Sequence, residues 1–516
     1  MDNPALGASP SRTQEVSRGV LWPLSGFSID TLPEWLIWIV LVVEVGVRIA
    51  VLGIIPGNRR PATAMAWLLA IFFIPAIALP LFLLIGTNKL SRRRQDRQRV
   101  INEALLKATS HMDLTDHLLA CGEQLRGTIT LNRNLGAFPI HEGNHLRLLG
   151  EYEDAFEWMV EAIDSAQEYV HVLFYIMGDD PHYAGPVFDA MERAADRGVT
   201  VRLLYDHMGT MRVKGYRRLR RRLKASRIQH HAVLPVRPLK RRFSRLDLRN
   251  HRKIVVVDGE RALTGSTNLI EPHYHRPSAV RSGRRWVELN VVASGPVVTG
   301  LDIVFASDWY TETEENIAER LGIDLQEDED ARGGSLVQVV PSGPGFPDEN
   351  NLRLFNDLLY NAVHRVVICT PYLVPDDSLL YAVTGAAHRG VEVTLLVSER
   401  ADQAVVHHAQ QSYYEGLLEA GVRIHRYPAP DVLHAKFMLI DQDTMVIGSS
   451  NMDMRSFSLN LEVTLLIIDA AMVEQTDAVL AQYMEVSRPL TLEQWRQRPL
   501  RVRYLDNVCR LTAGLQ

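Results

Sequence analysis

The sequence predicts an α/β protein in which one lobe is written twice, behind a two-helix transmembrane hairpin. Three observations carry this. The pattern HRKIVVVDGERALTGSTN, His251 to Asn268, returns as HAKFMLIDQDTMVIGSSN, His434 to Asn451, with His, Lys, Asp, Gly, Ser and Asn at matching offsets. The chain ahead of each copy alternates apolar strands and helices in one order. Residues 35–55 and 62–85 are apolar almost throughout.

Taken in order, residues 1–30 read as a polar tail and 31–88 as the hairpin. Its first run, Trp35 to Ile55, is interrupted only by Glu44 and Arg48, which lie four apart on one helical face and can pair. Its second run, Ala62 to Ile85, holds no charge and contains Pro75 and Pro80. Both approach or exceed the ~20 residues that cross a bilayer. Pro56 to Pro61 forms the turn between them. A late start, two internal charges and no basic segment ahead argue against a cleaved signal peptide. Residues 89–135 are a basic linker, in which Lys89, Arg92, Arg93, Arg94, Arg97 and Arg99 outnumber Arg59 and Arg60 of the turn. The positive-inside rule then puts the rest of the chain in the cytoplasm.

Residues 136–325 and 326–516 form the two lobes. AADRGVTVRLLYD (Ala194 to Asp206) answers AAHRGVEVTLLVS (Ala386 to Ser398), each a helix end, a glycine turn and an apolar strand. YVHVLFYIMGDD answers VVICTPYLVPDD ahead of these. Such alternation favours helices packed on a sheet, and each lobe has chain enough for a core. With 516 residues, a net charge of −5 and three scattered thiols, Cys121, Cys369 and Cys509, no disulfide framework or metal spacing emerges.

Chemistry concentrates in the repeat. Placed on strands, His251 and Lys253 share a face, as do His434 and Lys436. Asp258 and Asp441 lie an odd five residues further on and should face away, orienting the scaffold through a hydrogen bond or ion pair. Ser266 and Asn268 follow a glycine turn, as do Ser449 and Asn451, and can donate to phosphate oxygens. Imidazole titrates near neutrality, so one ring can attack phosphorus while the other protonates the departing oxygen. The lysines stabilise charge on the phosphoryl oxygens. No metal or cofactor is required.

Other signals are weaker. The cationic stretch Arg212 to Lys253, with RRLRRRLK and Lys240 to Arg242, could bind nucleic acid or an anionic membrane; beside the hairpin, lipid headgroups are the favoured partner and no nucleic acid is expected. His230–His231, His273, His275 and His407–His408 lack zinc-site spacing. Arg501 to Leu515 reads as a helix packed on the second lobe, with an interfacial amphipathic helix as the alternative.

The repeated residues resemble the twin HKD signature of the phospholipase D superfamily. The hairpin, RNHRKIVVVDG, TPYLVPDDSLL, SYYEGLLEAGVRI and GSSNMDMRSFSLNLEV are similar to bacterial cardiolipin synthases over nearly the whole chain. The first copy reads GST where many relatives have GGx, and PAPDVLH departs from a glycine-containing loop. The resemblance implies two α-β-α lobes forming a pseudo-dimer, and His251 as nucleophile with His434 as acid and then base. It also implies that Glu288 and Glu462 hydrogen-bond the histidines. The implied reaction joins two phosphatidylglycerol molecules into cardiolipin through a phosphatidyl-histidine, at the cell membrane and among anionic phospholipids. A phospholipase D hydrolase, a phosphatidylserine synthase, a nuclease and a non-enzymatic membrane scaffold are the rival readings. Oligomeric state is left open.

Overall fold

The computed structural model describes residues 33–57, 59, 61–86, 94, 96–98, 100, 122–237, 242–243, 247–318, 333–346 and 348–513. Outside them lie the tail 1–30, Asn58 and Arg60 of the turn, Lys89, Arg92, Arg93 and Arg99, Cys121, Lys240, Arg241 and the expected lobe junction at 325–326. Two compact units emerge, 1–82 and 83–516.

The first unit carries helices α1 (Glu34–Ile54) and α2 (Pro61–Phe73) and most of α3 (Pro75–Ile85). They meet along a small seam of Val51, Ile55, Ala64, Ile71, Ala78 and Phe82. Glu44 and Arg48 do pair on α1. Pro75 parts the second apolar run at Ile74, and Pro80 sits within α3. The expected hairpin is therefore present as helices, but among the described residues no helix is long and apolar enough to cross a membrane. The outward faces are nonetheless greasy, with Trp35, Trp38, Val42, Phe73 and Leu83 each more than half exposed.

The second unit is built on a 16-stranded sheet. Its main strands are β1 (His141–Leu149), β2 (Tyr169–Phe174), β3 (Thr200–Asp206), β4 (Gln229–Val233), β5 (Ile254–Val257), β6 (Arg261–Gly265) and β7 (Asn290–Ser294). The second copy supplies β8 (Ser335–Ser342), β9 (Arg365–Cys369), β10 (Glu392–Ser398), β11 (Arg423–Tyr427), β12 (Phe437–Ile440), β13 (Thr444–Gly448), β14 (Asn460–Ile468) and an edge strand, β15 (Arg488–Leu490). The spatial order is β15-β11-β10-β9-β12-β13-β14-β8-β1-β7-β6-β5-β2-β3-β4. Read outward from the antiparallel β8–β1 pair, both halves run through the same sequence of partners and directions, with β15 an additional edge strand of the second half. The two copies thus share one sheet and one compact unit, each keeping a core of its own on one face while a third core joins them.

Side-chain alternation explains the layers. Ile254 and Val256 of β5 enter a core with Val367 and Cys369 of β9, while Val255 and Val257 face the opposite side. Helices Pro296–Thr313 and Ala470–Val486, one per copy, cover the shared face and bury Val304, Trp309, Val473 and Tyr483 there. Both faces are covered, so the strands are apolar runs rather than amphipathic ones.

Candidate active site

Two short parallel ladders bring the repeats together. Arg249–Asn250 pairs with Asn460–Leu461, the start of β14, and His251 N–H continues the ladder to Leu461 O at 2.8 Å. Trp286–Val287 pairs with Val432–Leu433, and His434 N–H reaches Val287 O at 2.7 Å. In each case the next residue on one side is a motif histidine, and on the other the glutamate of the opposite copy. The His–Lys segments therefore bridge a ladder and the main sheet instead of lying within a strand, as the sequence spacing suggested.

The histidines and glutamates exchange partners as a result. His251 Nδ1 lies 3.0 Å from Glu462 Oε2 and 3.0 Å from Ser449 O, both acceptors. His434 Nδ1 lies 2.9 and 2.8 Å from the two oxygens of Glu288. Acceptors alone surround each Nδ1, so that nitrogen carries the proton of the neutral ring and Nε2 keeps its lone pair. Burial lowers the pKa of both rings, His434 to about 4, with the glutamates pulling the other way. Burial works against ionised Glu288 and Glu462, but the facing histidine and the nearby lysine more than offset it and hold both below the usual carboxylate range.

Lys253 and Lys436 are buried behind the rings, each Nζ donating to the carbonyl of the histidine two residues earlier, at 2.5 and 2.6 Å. Desolvation lowers them to about 7 and about 8, against the pull of Glu462 and Glu288. Two ammonium groups in a dry site are poised to gain from an arriving anion.

The remaining motif residues divide. Asp258 and Asp441 adopt left-handed turns, at φ 53° and 52°, and point away from the histidines. Asp258 accepts the N–H groups of Gln167, Glu168 and Tyr169 at 2.8–2.9 Å, and Asp441 those of His364 and Arg365 at 2.7 and 3.0 Å. Their task is to fix β2 and β9 against the motif strands. The serines differ from the sequence expectation. Ser266 Oγ bonds the backbone of Leu289, and Ser449 Oγ donates to Glu462 at 2.5 Å, so both stand behind the site rather than offering a hydroxyl to phosphate. A Cβ on Gly265 or Gly448 would collide with the carbonyl of Leu289 or Val463, which is what lets the serines approach so closely. Asn268 donates to Tyr274 Oη at 2.9 Å, and Asn451 Oδ1 has no partner among the described residues.

Several contributors escaped sequence reasoning. Arg252, wholly buried, donates to Asp308 at 2.8 Å and to Glu462 O at 3.0 Å, and Tyr483 Oη lies 3.5 Å from Glu288 O in the other half. Tyr175 stands edge-on to His251 at 4.9 Å and beneath Lys253. Tyr274 bonds Glu288 at 3.0 Å. An Arg directly after a motif histidine was the one visible hint.

His251, His434, Asn268 and Asn451 line one cavity of about 940 Å³ with Tyr175 and Trp286. Among the described residues no group of three His, Cys, Asp or Glu side chains could hold a metal ion. The other histidines have local duties: His230 meets Ile228 O, His273 meets Arg284 O, His275 meets Lys214 O and His408 meets Asp506. Cys369 and Cys509 are free and buried.

A family model described as "Cardiolipin synthase, PLD-like domain" matches residues 159–309 and 355–484. Cardiolipin synthase A of Proteus mirabilis (strain HI4320) is 32% identical over 459 residues, 88% of this chain and 93% of its own. Cardiolipin synthase A of Klebsiella pneumoniae (strain 342) is 32% identical over 464 residues, 89% and 93% of the respective chains. The crystal structure of phosphatidylserine synthase from Haemophilus influenzae Rd KW20 superimposes with a TM-score of 0.56 at 16% identity, over 77% of this chain and 100% of that one, a likeness of fold.

Proposed function

The chain belongs to the cardiolipin synthase family of phospholipase D-like proteins, and from that premise we propose that its composite site moves a phosphatidyl group from one phosphatidylglycerol to another. It is a phosphatidyltransferase that makes cardiolipin. The observation that carries the mechanism is the crossed His–Glu pairing, which leaves two Nε2 atoms for one cavity.

His251 Nε2 attacks phosphorus, and the P–O bond to the headgroup glycerol breaks. His434 Nε2–H gives its proton to that oxygen. The charge of the bound diester, added to Glu288, draws onto His434 the proton that the empty site does not hold. Lys253 and Lys436 stabilise the equatorial oxygens. The phosphatidyl-histidine then meets a second phosphatidylglycerol. His434 takes the proton of its hydroxyl, the new P–O bond forms and the P–Nε2 bond breaks. One diester is exchanged for another, so no nucleotide is consumed. We assign His251 as nucleophile by family pattern.

The two copies act as a pseudo-dimer, 136–325 and 326–516, on the cytoplasmic side of the cell membrane. The hairpin of 31–88 seats in lipid, which the exposed apolar faces of α1 to α3 support. That seat favours lipid over nucleic acid as substrate.

Lipid mass spectrometry after incubating the full-length enzyme with phosphatidylglycerol should show cardiolipin and glycerol. His251→Ala and His434→Ala should each lose this while remaining folded. A variant lacking either ring that kept near-normal turnover would refute the shared site. Peptide mapping of a trapped adduct at His434 in the unaltered enzyme would reverse the two roles.

A further inference from the structure

The pseudo-twofold arrangement is broken on one side of the site. Along the ladder that leads to His251 and Glu462, the preceding same-face pair is Arg249 and Asn460. Along the ladder that leads to His434 and Glu288, the corresponding pair is Val432 and Trp286. One flank is cationic and polar, and the other is apolar and aromatic.

The polar flank holds charge beyond what the chemistry of one phosphate needs. Arg249 is buried, and Arg455 and Arg212 line the same cavity. Among the described residues none of the three guanidinium groups has a carboxylate within salt-bridge reach. Two of them meet backbone carbonyls instead, Arg249 Nη1 at 2.6 Å from Leu248 O and Arg455 Nη2 at 2.7 Å from Asp247 O. Asp247, Asp402 and Asp453 also line the cavity, and Asp206 is close enough to act on Arg249. Asp402 holds Arg276 and Tyr372, Asp453 caps the helix beginning at Met454, and Asp206 accepts the N–H groups of Gly209 and Asn250. Burial lowers the pKa of Arg249 most, Asp206 opposes this, and Arg455 and Arg212 add to the lowering. Asn460 Oδ1, almost fully buried on the same flank, has no partner among the described residues.

We propose that Arg249, Arg455 and Arg212 form a subsite for a second phosphodiester, the unreacting phosphate of the acceptor lipid, with Asn460 receiving the hydroxyl of the glycerol between the two phosphates. Two residues along a strand span roughly 7 Å. A three-carbon glycerol bridge between two phosphorus atoms covers a comparable length when extended. Tyr175, edge-on to His251, lines the cavity together with the three arginines. The subsite makes the phosphatidyl-enzyme prefer a lipid alcohol over water or a small alcohol. It rests on the reading that this enzyme joins two phosphatidylglycerols.

The test is a partition experiment with the full-length enzyme in mixed micelles of phosphatidylglycerol and ethanol. Cardiolipin and phosphatidylethanol arise from the same phosphatidyl-enzyme, so their ratio is independent of loading rate and of the folded fraction. Arg455→Gln with Arg212→Gln, both at the accessible end, should lower the cardiolipin-to-phosphatidylethanol ratio at least ten-fold, and Arg249→Met should do so as well. An unchanged ratio, whatever the total rate, would overturn the subsite. A calorimetric arm needs no turnover. The unaltered enzyme should bind glycerol 1,3-bisphosphate at least ten-fold more tightly than glycerol 1-phosphate, and the Arg455→Gln/Arg212→Gln variant should lose that difference. Equal affinities in the unaltered enzyme would overturn the subsite. An enzyme that shows the affinity difference but makes no cardiolipin would instead overturn the reading on which it rests.

Discussion

Replacing Lys253 by Met should make the protein more stable and inactive. The ammonium is fully buried and its pKa is depressed from 10.5 to about 7. A shift of that size corresponds to a penalty of about 5 kcal/mol for holding the charge in the empty folded site. Methionine of similar length removes the penalty but leaves the His251 carbonyl without its donor, a loss of about 2 kcal/mol. The net gain at pH 6 should be about 3 kcal/mol. The sign with pH follows from proton counting. Between about 7 and 10.5 the unfolded chain binds more protons at Lys253 than the folded one, so the unaltered enzyme gains stability as pH rises. The variant lacks that slope at this position, and its advantage should shrink to roughly nothing near pH 9. Urea denaturation of both proteins at pH 6 and pH 9, in one detergent, measures this. Transfer should fall by about a hundred-fold or more, as for other buried donors aimed at developing charge. A variant less stable at pH 6, or an advantage equal at both pH values, would refute desolvated charge as the cause.

Glu462→Gln should slow transfer about 10- to 100-fold by loosening His251, and Glu288→Gln should do the same to His434, with little change in phosphatidylglycerol KM; a rise in KM alone would contradict an orienting role. The acid limb of kcat/KM should lie below pH 6.5, since it reports deprotonation of the attacking His251, which burial lowers; His434, as the acid, contributes only to the falling side, and that fall should steepen between about 7 and 8 as Lys253 and Lys436 lose their protons. An alkaline limb first appearing near pH 10 would mean that the lysines are not desolvated in the free enzyme. Asp258→Ala should cost about 3 kcal/mol by releasing three N–H groups, while the folded fraction keeps most of its turnover; lost turnover in a variant of normal stability would place Asp258 in the chemistry. Activity should persist in excess chelator, and restoration by one specific divalent ion after its loss would contradict a metal-free site.

Much of the scaffold could be read from one-dimensional patterns because those patterns are local. The motif strands, the glycine turns at Gly198 and Gly390 and the helix-to-strand order need only neighbouring residues to be recognised. Asp258 and Asp441 do face away from the histidines, though on left-handed turns just past the strand ends rather than by strand alternation. What escaped reading depends on contacts far apart in sequence. Nothing near His251 says that its Nδ1 meets Glu462, because the pairing comes from a two-rung ladder between distant segments. The serines look like donors until the close strand contact at Gly265 and Gly448 ties them to backbone and carboxylate. Arg252 and Asp308 form a buried pair across 56 positions, and no periodicity marks such a pair.

The covalent joining of the two copies has a consequence for the kinds of reaction such a site can evolve to perform. Were the cavity formed by two identical chains, any residue placed beside one histidine would stand beside the other too, and both approaches would present the same chemistry. A single chain is free of that constraint. It can hold Arg249 opposite Asn460 on one flank and Val432 opposite Trp286 on the other while the shared sheet keeps both rings in register. A transfer between two partners in sequence calls for that kind of handedness, since donor and acceptor must enter the same cavity and still be told apart.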